Sequence, residues 1–152
     1  MSLREALQSA TKDAMRARAA DRLSTLRLMS SAIKDREIAG RSEAGVVLVT
    51  EADILSVFAR MVKQRHDSAK AYAAGGRADL EAKELAEIVV IEAFMPKQLT
   101  GTELEDAIAA AIAEVGAASI KDMGRVMAVL KASFAGQMDF GTVGGLIKAR
   151  LG

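Results

Sequence analysis

No cysteine, no tryptophan, one histidine and one proline occur in 152 residues, and aromatic side chains make up only 3% of the chain. Without cysteine there are no disulfides, zinc knuckles, iron–sulfur ligands or thiol nucleophiles, a composition that fits a reducing compartment; the expected location is the cytoplasm. A single imidazole, His66, makes a histidine-based metal site or a Ser-His-Asp triad an unfavoured reading, so neither a metal nor a cofactor is expected. Few aromatics leave little with which to stack nucleic-acid bases. No apolar run approaches the ~20 residues of a membrane-spanning helix, so no membrane partner is expected. The opening Met1-Ser2-Leu3-Arg4-Glu5-Ala6 is not expected to be a signal peptide. Charge of one sign is also missing: 21 Lys and Arg stand against 20 Asp and Glu, a net charge of +1. With 51% hydrophobic residues, that balance excludes a disordered polyelectrolyte and a basic nucleic-acid arm.

What remains is rich in Ala, Leu and Met, and it reads as an all-α chain. Four capping boxes, each a hydroxyl followed three positions later by an acid, mark helix starts: Ser2/Glu5, Thr50/Asp53, Thr100/Glu103 and Ser119/Asp122. Seven helices are predicted: Ser2 to Ala19, Asp21 to Ile38, Glu51 to Ala74, Ala78 to Phe94, Thr102 to Val115, Ile120 to Ser133, and Asp139 to the C-terminus. Gly75-Gly76, Pro96, Gly116 and Gly136 supply the stops. Leu3, Leu7, Ala14 and Met15 are expected inward on the first helix, and Leu23, Leu26, Ser30 and Ile33 on the second. The third turns Ile54, Phe58, Val62, Ala69 and Tyr72 inward. Val46-Val47-Leu48-Val49 is a β-prone connector, either packed on the bundle or exposed as a docking strand. Pro96 and the Gln98–Gly101 turn mark a boundary between an N-terminal four-helix domain, residues 1–96, and a small three-helix domain, residues 97–152.

Overall neutrality hides alternating blocks. Through Arg41 nine basic residues face five acids, and from Arg60 to Arg77 five face Asp67 alone. Asp79 to Glu92 then carries five acids against Lys83, and from Ser119 onward five basic residues face Asp122 and Asp139. Lys63, Lys70 and Arg77 recur at helical spacing, either as a solvated face or as a track for phosphates. Arg65 breaks this pattern, because at about 100° per residue it projects within about 20° of Ile54 and Phe58. A guanidinium on an apolar face needs a carboxylate. Glu84, in the Leu80–Ile88–Ile91 stripe, and the adjacent Glu87 are the candidates for a structural ion pair. His66 stands beside Asp67 with no second imidazole. The chain has no G-x-S-x-G, Walker or dinucleotide-binding loop, and Gly141-Thr142-Val143-Gly144-Gly145 lacks the Lys-Ser/Thr of a phosphate loop.

Arg22-Leu23-Ser24-Thr25-Leu26-Arg27, Lys63-Gln64-Arg65 and Gly76-Arg77-Ala78-Asp79-Leu80 resemble the YqeY family. So do Glu84-Leu85-Ala86-Glu87-Ile88, Phe94-Met95-Pro96-Lys97-Gln98-Leu99 and Ser119 to Met127. The resemblance implies a helical domain followed by one similar to the C-terminal tail of GatB, a subunit of the glutamine-dependent tRNA amidotransferase whose tail helps hold tRNA. It also implies the family's label of carbon–nitrogen ligase with glutamine as amido-N-donor. On this reading Lys121, Arg125, Lys131 and Lys148 are the candidate RNA-binding residues. One motif departs: the family's Gly-Arg-Ala-Asp-Gly is here Gly136-Gln137-Met138-Asp139-Phe140, without the arginine and the last glycine.

The resulting expectation is a non-catalytic module that binds tRNA or works beside tRNA amidotransferase or other aminoacyl-tRNA machinery. Two alternatives stand beside it: an auxiliary ligase component active only in a complex, and a protein-interaction adaptor. RNA binding requires a positive surface on the last two helices, an enzyme a deep pocket with convergent polar groups, and an adaptor an exposed apolar patch. No assembled nucleophile–base pair and no phosphate loop is legible. The purified chain is therefore expected to release no ammonia from glutamine and to hydrolyse no ATP. Saturable ammonia release abolished by one point substitution would contradict this.

Overall fold

The computed structural model describes residues 1–42, 45–46 and 48–152. It is all-α: seven helices, α1 (Leu3–Arg16), α2 (Ala20–Ala39), α3 (Glu51–Ala74), α4 (Ala78–Glu92), α5 (Gly101–Val115), α6 (Met123–Phe134) and α7 (Phe140–Leu151), account for most of the described residues. A 3-10 turn, Ile120–Asp122, leads into α6. The chain divides into two compact units, Met1–Met95 and Pro96–Gly152, each with its own core.

Three of the four capping boxes form. Ser2 and Glu5, Thr50 and Asp53, and Ser119 and Asp122 each exchange side-chain and backbone hydrogen bonds. The Asp53 carboxyl lies below the usual carboxylate range, chiefly because it accepts the Thr50 amide, with the Thr50 hydroxyl next. Thr100 makes no side-chain cap. There α5 is entered through Gly101 at φ +53°, and a left-handed first residue turns the following amides away from the Thr100 hydroxyl. The third box opens the 3-10 turn, so α6 starts three residues later than expected.

In the N-terminal unit Leu7, Leu26, Met29, Ile33, Ile54, Phe58, Met61 and Ile91 form the centre of one core. The buried register of α2 runs through Thr25, Leu26, Met29 and Ile33, which leaves Ser30 exposed rather than inward. Met15 is also exposed (54%), because at about 100° per residue it points about 90° away from buried Leu7 and Ala14; α1 ends at Arg16, and the chain turns through Arg18 at φ +56°. No glycine announces that turn. The β-prone connector contributes a two-residue ladder, β1 (Arg41–Ser42) antiparallel to β2 (Gly45–Val46). Leu48 is exposed and Val49 packs on the core, while Val47 lies outside the described residues.

The most extensive helix pairing is α3 with α4. Gly76, at φ +73°, supplies the left-handed residue that reverses the chain between them, at no cost in Cβ strain. Phe58 and Phe94 meet edge to face with ring centroids 6.5 Å apart. Arg65 joins the same two helices. Its Nε donates to Glu87 Oε2 at 3.0 Å and its Nη1 to the Met61 carbonyl at 3.2 Å. The two side chains are only 14% and 16% exposed. Glu84 is half-buried on the same helix and makes no ion pair among the described residues.

Replacing Arg65 by Met should destabilise the protein by ~3 kcal/mol in a denaturant titration, because Glu87 is left as an unpaired, largely buried carboxylate. A variant as stable as the parent would show that the pair contributes nothing.

Candidate functional site

The C-terminal unit is a three-helix arrangement in which α6 packs on both α5 and α7. Ile108, Ala111, Val126, Leu130, Met138, Val143 and Ile147 fill its centre. The turn before α7 is tied back to the unit's first residues: the Leu99 amide donates to the Gln137 carbonyl at 2.7 Å, and the Gln98 side-chain amide donates to the Gly136 carbonyl. Met138 is buried in the core. Of the two departures from the family string, Gln137 thus falls on a turn held by packing and backbone hydrogen bonds, and Phe140 opens α7.

Lys121, Arg125, Lys131 and Lys148 are all exposed. Lys121 belongs to the 3-10 turn rather than to α6, so no continuous α-helical stripe joins it to Arg125. Arg125 is engaged by Asp122, whose carboxylate accepts its Nη2 together with the Ala118 amide at 3.0 Å and the Ser119 amide at 3.3 Å. These hydrogen bonds, the Ala118 amide foremost, hold the Asp122 carboxyl down to about 2. Buried Val126 and Leu130 set the inward face of α6, and at about 100° per residue Arg125 and Lys131 lie about 120° to either side of it. They occupy two flanks, not one. The Lys131 ammonium sits 5.9 Å over the Phe140 ring, between α6 and α7. Lys148 lies in the last turn of α7, with Arg150 exposed beside it.

A Cβ built on Gly124 meets nothing within 4 Å, so no close backbone approach explains that residue. The tight place is Gly144, buried in α7, where a Cβ would come 3.3 Å from the Met123 Cε. The glycine-rich string is helical, and its N-terminus already holds an anion. The Asp139 carboxylate accepts the Gly141 amide at 3.0 Å and the Thr142 hydroxyl at 2.8 Å, where a phosphate would have to sit.

On α3, Lys63 and Lys70 are exposed as expected, but Arg77 is not part of their stripe. It precedes α4, where Nε and Nη2 grip the two Asp79 oxygens at 3.2 and 3.1 Å and hold that carboxyl below its ordinary range. His66 is exposed, and no cluster of three or more potential metal ligands occurs among the described residues.

Sequence reasoning missed two surface grooves. One, of about 360 Å³, runs along α2 past Leu23, Ser24, Arg27 and Ser31. The other, of about 550 Å³, separates α2 from α3 and is lined by Asp35, Arg36, Asp53, Ser56, Arg60 and Gln64 over Val57 and Met61. Its signal was the recurrence of polar residues at positions 53, 56, 60 and 64, one face of the third helix. Arg36 lies 3.9 Å from Asp53, whose oxygens already serve the α3 cap, and Ser56 has no basic partner among the described residues. These grooves carry groups that bind, without a nucleophile–base pair.

The chain matches the family described as Yqey-like protein over residues 4–151. It is similar to "Altered inheritance of mitochondria protein 41, mitochondrial" of Saccharomyces cerevisiae, with 31% identity over 99 residues, 65% of this chain and 51% of that protein. The protein of the same name in Candida glabrata is 33% identical over 100 residues, 66% of this chain and 53% of that one. The chain thus matches about half the length of these curated relatives. A match that runs through both units, from the first turn of α1 to the last residue of α7, makes this chain a member of the YqeY family.

Proposed function

We propose that this chain is a non-catalytic helical module that holds tRNA by its sugar–phosphate backbone, acting in the cytoplasm beside aminoacyl-tRNA amidotransferase machinery. The observation that carries this reading is how charge is committed after Ser119. Both acids of that segment, Asp122 and Asp139, are spent on caps, whereas Lys121, Lys131, Lys148 and Arg150 stay exposed. Cations left over in this way neutralise phosphates without reading sequence, which suits a chain so poor in stacking aromatics. Arg125 is a weaker candidate than the lysines, because Asp122 already satisfies it. The GatB-tail likeness that the family resemblance implies points to tRNA as the polyanion.

The test is a titration of bulk tRNA at several salt concentrations. Replacing Lys121, Lys131 and Lys148 together by Ala should weaken binding and lower the log–log salt slope by about one unit for each phosphate no longer neutralised. An unchanged affinity and slope, or no binding by the parent at low salt, would refute the reading.

A further inference from the structure

Helix α4 is apolar on two opposite sides. Its inner side carries Leu80, Ile88 and Ile91 and the Glu87 that pairs with Arg65. An apolar face of a helix is normally buried, yet the other apolar side of α4 is open. Ala78, Ala82, Leu85, Ala86, Val89 and Ala93 are all exposed, Leu85 by 42% and Val89 by 69%. At about 100° per residue these six fall within an arc of about 100°, diametrically opposite the buried face. The stripe runs the length of the helix, about 22 Å for 15 residues.

The border of the stripe limits what can cover it. Glu81 and Glu92 lie along one edge, and neither is engaged in an ion pair among the described residues. Lys83 and the Arg77-bound Asp79 lie along the other. A second copy of the chain is a poor fit. Two α4 helices packed antiparallel about the Leu85–Val89 centre would set Glu81 of one copy against Glu92 of the other. We propose that the outer face of α4 is a docking site for another protein's amphipathic helix, one that presents an apolar stripe bordered by Lys or Arg. The apolar side chains give the interface its area, and Glu81 and Glu92 choose a basic border over an acidic one. The surface lies in the N-terminal unit, so this docking site and the tRNA surface stand or fall independently.

The probes are two fluorescently labelled 18-residue helical peptides with the same leucine stripe, one flanked by lysines and one by glutamates, titrated against the full chain. The lysine-flanked peptide should bind at least tenfold more tightly than the glutamate-flanked one. Leu85→Ser/Val89→Ser should weaken its binding at least tenfold, with circular dichroism unchanged because both positions are exposed. Glu81→Gln/Glu92→Gln should abolish most of the preference for lysine while keeping residual binding. Equal binding of the two peptides, no binding of either, or binding indifferent to Leu85→Ser/Val89→Ser overturns the proposal. A concentration-dependent dimer in sedimentation, abolished in Leu85→Ser/Val89→Ser, also overturns it by giving the face to a second copy.

Discussion

The N-terminal unit depends on the way α3 and α4 fold back on each other. The pair is the most extensive in the protein, closed by a left-handed Gly76 and joined by an edge-to-face stacking of Phe58 and Phe94. Within it Arg65 and Glu87 are a charged pair in a setting that tolerates neither alone. Apolar burial stabilises the pairing, and the ion pair satisfies the two charges that the pairing buries. Helix α2 then packs on both members of the hairpin, and α1 on α2. Glu51, at the start of α3, caps the Leu3 amide of α1 at 3.0 Å.

The same constraint shapes the outer surface. Committing one side of α4 to α3 fixes the opposite side, with Leu85 and Val89, toward solvent. The C-terminal unit has a different logic. Its two later acids are consumed by helix starts, and its later cations are left over. One unit therefore presents an apolar stripe with an acidic edge, and the other presents exposed lysines with no ion-pair partner among the described residues. The grooves on α2 and between α2 and α3 add polar side chains without adding a reacting pair.

Much of this was legible because short-range chemistry decided it. The range of α3 follows from its cap and stop residues, and Arg65, by falling on an apolar face near an acidic helix, narrowed its partner to Glu84 or Glu87, of which the structure pairs Glu87. The misses have long-range or conformational causes. Arg18 adopts a left-handed turn that sequence reserves for glycine, so α1 ends early. Thr100 has the right spacing for a cap, but the left-handed Gly101 after it removes the geometry. Lys121 and Arg125 are four apart, yet a 3-10 turn breaks the period that would align them. Whether a Cβ at Gly124 or at Gly144 would be crowded is decided by packing between the start of α6 and α7, which local sequence does not show. The α4 stripe was present in the sequence as a helix with too many apolar positions for one face.

The claim that Arg65 and Glu87 act as one coupled pair joining α3 to α4 is tested most directly by a double-mutant cycle on Arg65→Met and Glu87→Leu, read as unfolding free energy. If the two charges are coupled, each single variant is destabilised and the double variant recovers much of the loss, giving a coupling of about 1–3 kcal/mol. Additive losses, with a coupling below about 0.5 kcal/mol, would contradict it and leave apolar packing as what holds α3 to α4.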